Sequence, residues 1–159
     1  MLAGLVTKLM MAWGNNHRGA VSLEFMMLFP LIMGIFYASA IYGITFFAKY
    51  QIQDVVDRAV ASGLYVDRSA FAAADISAAV EARANDTLQG LKNNLPESWR
   101  GRLEGGCEPD VVGDIDVILC SLTYPNFKTN PITPSLNFGW LGTFPPLPDA
   151  LSVEARAAF

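Results

Sequence analysis

The chain is poor in the residues that do chemistry. Among its 159 residues there is one histidine, His17, and there are two cysteines, Cys107 and Cys120. His17 lies in an N-terminal stretch that reads as a leader, so a processed chain keeps no Ser-His or Cys-His arrangement. A glycine-rich phosphate loop, an H-E-x-x-H pattern and a nucleophile elbow are all missing. These gaps argue against an enzyme, and nothing calls for a cofactor or a small-molecule substrate. Asp110, Asp114 and Asp116 come nearest to a cation site, but without the glycine and terminal glutamate of an EF-hand loop they read as a solvated acidic edge. No metal is expected. Basic clusters are lacking as well: from Lys49 onward nine Lys and Arg face fourteen Asp and Glu, which leaves no electrostatic footprint for nucleic acid.

Charge itself is missing from one stretch. From Phe25 to Ala48 there are 24 residues without an ionisable acid or base, and at ~1.5 Å per residue such a helix crosses a hydrocarbon core of about 30 Å. A membrane helix over residues 20–48 is the reading, with the lipid bilayer as its partner. Lys8 and Arg18 precede the run with no acid beside them, while the net charge of −4 comes from the C-terminal side. That asymmetry predicts a cytoplasmic N-terminus and an exported C-terminal portion. In an exported portion a disulfide persists, and Cys107 and Cys120 fit neither a C-x-x-C redox motif nor a zinc cluster. A structural bridge between them is expected, with two buried free thiols as the alternative.

At the mouth of the apolar run stands Glu24, an acid expensive enough there to need a partner or a task. Gly19, four residues, Glu24 and then Phe25 is the layout of a prepilin peptidase site, in which the cut falls between Gly19 and Ala20 on the cytoplasmic side. Glycine suits such a cut because a peptidase can hold its backbone closely. Cleavage would free the Ala20 amine as a counter-charge for Glu24 of a neighbouring copy; the alternative is that Glu24 snorkels to the headgroups. Pro30 removes one helix donor and is expected to kink or loosen the helix near its start.

Over Arg18 to Gly63 the chain resembles the TadE-like minor pilins, or pseudopilins, of bacterial tight-adherence pilus systems. The resemblance rests on Arg18-Gly19, Glu24-Phe25, Pro30 and Gly34, and is looser beyond Gly63. It implies a leader at residues 1–19 removed by a prepilin peptidase, and assembly with a major pilin, other minor pilins and an inner-membrane platform. Adherence and biofilm formation are what the family implies, in a bacterial inner membrane with the C-terminal domain periplasmic. Two other readings compete. One is an unprocessed single-pass assembly factor; the other is a secreted protein cut after Ala38-Ser39-Ala40, whose small residues suit a signal peptidase.

The fold class expected is α+β, with residues 49–159 as an exported domain. Ile52, Val55, Val56, Ala59, Val60, Gly63 and Leu64 recur at helical spacing, with Gln53, Asp54, Asp57 and Arg58 between them, so the membrane helix should continue as an amphipathic stem. A second helix is expected from about Ser69 to Leu91, started by Asp67 or Ser69 and stopped by Gly90 or Asn93-Asn94. Leu95 to Gly106 reads as a connector. Residues 114–124 and 151–157 alternate as strands, antiparallel if they pair, with the apolar phase slipping near Ile118 as a bulge or a middle buried on both faces would require. Between them six prolines mark an irregular loop whose Phe138, Trp140 and Phe144 are expected to pack on the core. Asn85-Asp86-Thr87 matches a glycosylation acceptor but carries little weight alone.

Overall fold

The computed structural model describes residues 17–137 and 139–159. All but the end of the expected leader lies outside them, and so does Phe138. The architecture is α+β: a long N-terminal helix, a second helix and a small antiparallel sheet. Helix α1 runs from His17 to Gly63, 47 residues, and passes through Pro30 without interruption. Packing divides the chain into two units, with the boundary between Ala40 and Ile41.

In the first unit the helix is a bare apolar rod. From Ser22 to Ala40 no side chain is buried, and Leu23, Phe25, Met26, Met27 and Phe36 are each more than half exposed. Among the described residues it is the one helix long and apolar enough to cross a membrane. Phe25 and Phe29, one turn apart, bring their ring centroids to 5.8 Å.

In the second unit the same helix is half covered. Ile41, Thr45, Ala48, Ile52, Val56, Ala59 and Gly63 are buried at steps of three and four, which is the apolar stripe the spacing predicts, begun earlier. The compact domain therefore starts at Ile41 rather than at Lys49. Thr45, the one buried hydroxyl on this face, donates to the Ile41 carbonyl at 2.9 Å, so its burial leaves no orphan donor. Leu64, expected in the stripe, is exposed, because the helix has ended at Gly63.

Helix α2 spans Ile76–Lys92 and buries Val80, Ala84 and Leu88, four residues apart. It begins later than the expected Ser69. Asp67 accepts from the Ser69 amide and hydroxyl, which closes a short turn at Arg68–Ala70, and Phe71 then takes an extended backbone that no helix can absorb. The two helices come close where Gly63 faces Val80: a Cβ at Gly63 would lie 3.1 Å from the valine methyl.

The connector expected at 95–106 holds structure instead. A single helical turn, α3 at Glu97–Arg100, buries Trp99, and strand β1 then runs from Glu104 to Val112. Strand β2, Ile115–Tyr124, pairs with β1 through a two-residue turn whose Gly113 has φ +67°, the first position that a type II′ hairpin gives to glycine. Its register is continuous, so the phase slip near Ile118 is a middle buried on both faces and not a bulge: Val117 and Ile118 are both buried. Strand β5, Leu151–Ala158, pairs antiparallel with β2 as expected, giving the order β1-β2-β5. Strands β3 (Leu136–Asn137) and β4 (Thr143–Phe144) make a separate two-stranded hairpin.

Ile118, Cys120, Leu122 and Tyr124 alternate along β2 and, with Leu151 and Val153 opposite, face the core. Burying an aliphatic side chain of this size contributes about 1.5–3 kcal/mol. The proline-rich loop seals one end differently from expectation. Phe127, Pro145 and Leu147 are buried, whereas Trp140 is 92% exposed and Phe144 37%. Trp140, between Gly139 and Gly142, goes outward.

Candidate functional site

The residues singled out by the sequence fall into two separate groups. Gly19 and Ala20 lie in the turns with which the described part of α1 begins, and Glu24 and Phe25 follow one turn later with exposed side chains. A peptidase that holds an extended backbone must unwind those turns. Glycine disfavours helix by about 1 kcal/mol, which lowers the cost of opening α1 at Gly19. Arg18 and Lys49 are the bases nearest to Glu24 in sequence.

The second group is the cysteine pair. Cys107 and Cys120 form a disulfide, with S–S 1.98 Å and Cα–Cα 4.0 Å. They face each other directly across β1 and β2. The backbone N–H and C=O of Cys107 turn away from β2, and there the Asn85 side chain meets both: its Oδ1 accepts at 2.9 Å and its Nδ2 donates at 2.8 Å. A carboxamide thus stands in for the peptide of a further strand. Two residues on, Pro109 has no N–H to present on that edge, and the next outward amide, Val111, donates to Asp110 Oδ1 at 2.9 Å. The free edge of β1 is closed at each amide from Cys107 to Val111.

The acidic trio does not gather. Asp110 lies opposite Val117 and Asp116 opposite Val111, which puts their side chains on opposite faces of the hairpin, with Asp114 in the turn. Among the described residues no three His, Cys, Asp or Glu side chains are placed to hold a metal.

Three contacts had no clear sequence signal. Arg102 Nη1 donates to the Tyr124 hydroxyl at 2.7 Å while that hydroxyl donates to the Asn130 carbonyl at 3.1 Å, so the buried tyrosine is satisfied on both sides. Tyr42 on α1 donates to the Pro146 carbonyl at 2.9 Å, tying the proline-rich loop to the helix. Gln53 donates to the Glu154 carbonyl at 3.1 Å, on the outer edge of β5. Asn85 did carry a signal: asparagine is a poor helix former, and its place inside α2 is a hint that the side chain is committed elsewhere.

One groove, of about 220 Å³, runs beside α1 and is lined by Gln51, Asp54, Arg58 and Leu95 among others; Arg58 and Asp54 neutralise each other there at 3.0 Å. Among the ionisable groups Asp67 stands apart. Its carboxyl is held below the usual range by the Ser69 hydroxyl, and by the Ser69 amide after it. Comparison with protein-family models, with curated proteins and with solved structures finds no significant match.

Proposed function

We propose that the chain is a minor-pilin-like subunit of a tight-adherence pilus, processed by a prepilin peptidase between Gly19 and Ala20 and anchored in a bacterial inner membrane with its C-terminal domain in the periplasm. The observation that carries this reading is the division of labour along α1. One uninterrupted helix offers a bare apolar face from Ser22 to Ala40 and, from Ile41, carries a small disulfide-bonded domain on its covered stripe. The 19 residues from Ser22 to Ala40 measure ~28 Å as a helix, close to a hydrocarbon core of about 30 Å. The function is structural. Its partners are the peptidase, the major pilin and other minor pilins, the assembly platform and the bilayer; adhesion and biofilm formation are the processes it serves, and no catalytic role is proposed.

A second reading has one observation in its favour. A signal peptidase cut after Ala40 would release the chain at Ile41, where the compact domain begins. Against it, Phe46, Phe47 and Tyr50 are each more than 60% exposed and would remain on the surface of a soluble product. The intact mass of the protein recovered from its own cells decides. A chain starting at Ala20 supports the pilin reading, one at Ile41 the secreted reading, and one at Met1 an unprocessed anchor. Gly19→Val should block the first of these cuts; unchanged processing in that variant would remove the peptidase site from the reading.

A further inference from the structure

Trp140 is the most exposed large apolar side chain in the described chain, at 92%. It is held on a single turn, Gly139–Leu141, between the paired residues of β3 and β4. Glycines with φ of +63° and +83°, Gly139 and Gly142, bracket the turn, and their backbone conformations are ones that side-chain-bearing residues rarely adopt. The base below it is fixed. Phe127, Pro145 and Leu147 are buried, and the Phe127 amide donates to the Asp149 carbonyl at 2.8 Å. A tryptophan presented on a firm base and left in water calls for a partner that takes an aromatic ring.

Two features identify that partner. The whole segment from Thr129 to Pro148, 20 residues, contains no Asp, Glu, Lys or Arg, although the chain from Lys49 onward carries nine bases and fourteen acids. And the segment is tethered, by the Tyr42 hydroxyl on the Pro146 carbonyl, to a residue that belongs both to the compact domain and to the uncharged run Phe25–Ala48. The domain covers one face of α1 from Ile41, so the bilayer can enclose the helix only up to about Ala40. Tyr42 then stands at the level where helix and lipid part, and the loop is anchored there through Pro146. Tryptophan favours that level, since its ring is apolar and its N–H finds water or a headgroup oxygen.

We propose that the Gly139–Leu141 turn is a second membrane contact, which sets Trp140 into the headgroup region of the phospholipid bilayer that α1 crosses; this rests on the membrane reading above. An uncharged loop meets little desolvation cost in making that contact.

The test uses the full chain in phosphatidylethanolamine and phosphatidylglycerol vesicles, with Trp13→Phe and Trp99→Phe leaving Trp140 as sole emitter. A second protein carries Phe36→Trp with all three native tryptophans replaced by phenylalanine, and reports on α1. Emission is read with lipid brominated near the headgroup, with lipid brominated near the chain end, and with aqueous acrylamide. The expected result is quenching of Trp140 by the shallow bromolipid and shielding from acrylamide, with the Phe36→Trp reporter quenched by the deep one. If the α1 reporter is quenched and Trp140 stays open to acrylamide, the contact does not exist and the membrane helix stands. If Trp140 is shielded from acrylamide but untouched by either bromolipid, it packs on protein, and the proposal is equally overturned. If neither fluorophore meets lipid, the proposal falls together with the membrane reading.

Discussion

Ser69 holds the Asp67 carboxyl below its ordinary range. Ser69 donates to Asp67 from its side chain at 2.7 Å and from its backbone at 3.0 Å, and both bonds favour the ionised carboxylate. With its folded pKa below the unfolded one, Asp67 contributes stability above the unfolded pKa and loses that contribution as pH falls through the folded value. Asp67 is fully exposed, so the measurable quantity is its own titration. Carboxyl NMR should place the Asp67 midpoint below the ordinary carboxylate range, and Ser69→Ala should move it up; an unmoved midpoint would show that the bond does not form in solution. Gly105 makes the complementary case for backbone. Its φ is +132°, and a Cβ there would lie 2.2 Å from the Ser121 carbonyl oxygen. Gly105→Ala should lower unfolding stability by at least about 2 kcal/mol, whereas Gly101→Ala, with open space around it and a helical backbone, should change it by less than about 0.5 kcal/mol. Equal effects in urea titrations would count against the close approach of β1 to β2.

Among the elements, the hairpin of β1 and β2 depends on pairing more than on its own sequence. The disulfide joins residues 13 apart, and on the chain-entropy model a loop of that size stabilises by about 3 kcal/mol. Reduction should lower the unfolding free energy by about that amount, seen as a lower urea midpoint, and thiol labelling of the oxidised, denatured chain should find no free cysteine. Two labelled thiols per chain would exclude the bridge. The same hairpin shows where reading the sequence stops. Helix α1 and strand β5 are legible, because their apolar spacing is local and the side chains that repeat are the ones buried. Strand β1 is not: Gly105, Gly106 and Pro109 argue against a strand, and only β2 beside it, Cys120 opposite and Asn85 on its far edge hold it extended. The loop aromatics mislead for a related reason. Apolarity predicts burial for Trp140, but the glycines on either side aim it outward, and that aim is set by backbone angles that composition does not express. Gly19 and Glu24 are legible only as a pattern, because the roles proposed for them rest on partners outside this chain.

For the molecule as a whole, the informative change is Glu24→Leu, since it separates insertion and processing from assembly. Insertion follows hydrophobicity, so the variant should enter the membrane at least as well as the unaltered chain. It should still lose its leader, because the glycine and the residues at the cut are untouched. What it should lose is the counter-charge for the Ala20 amine of a neighbour, leaving that amine unpaired where helices pack without water. The expected outcome is a processed, inserted subunit missing from sheared pilus fractions; normal piliation with processing confirmed by mass would leave the acid a headgroup-seeking residue and no more. Association of any kind raises a hazard that the sealed margin of β1 answers. If copies are held by their helices in one membrane, as proposed above, their domains meet at a raised effective concentration. Under that confinement an unpaired strand margin is a seed for runaway sheet growth between neighbours. With Asn85, Pro109 and Asp110 occupying or removing its outward donors from Cys107 to Val111, that stretch of β1 offers such neighbours no amide to pair with.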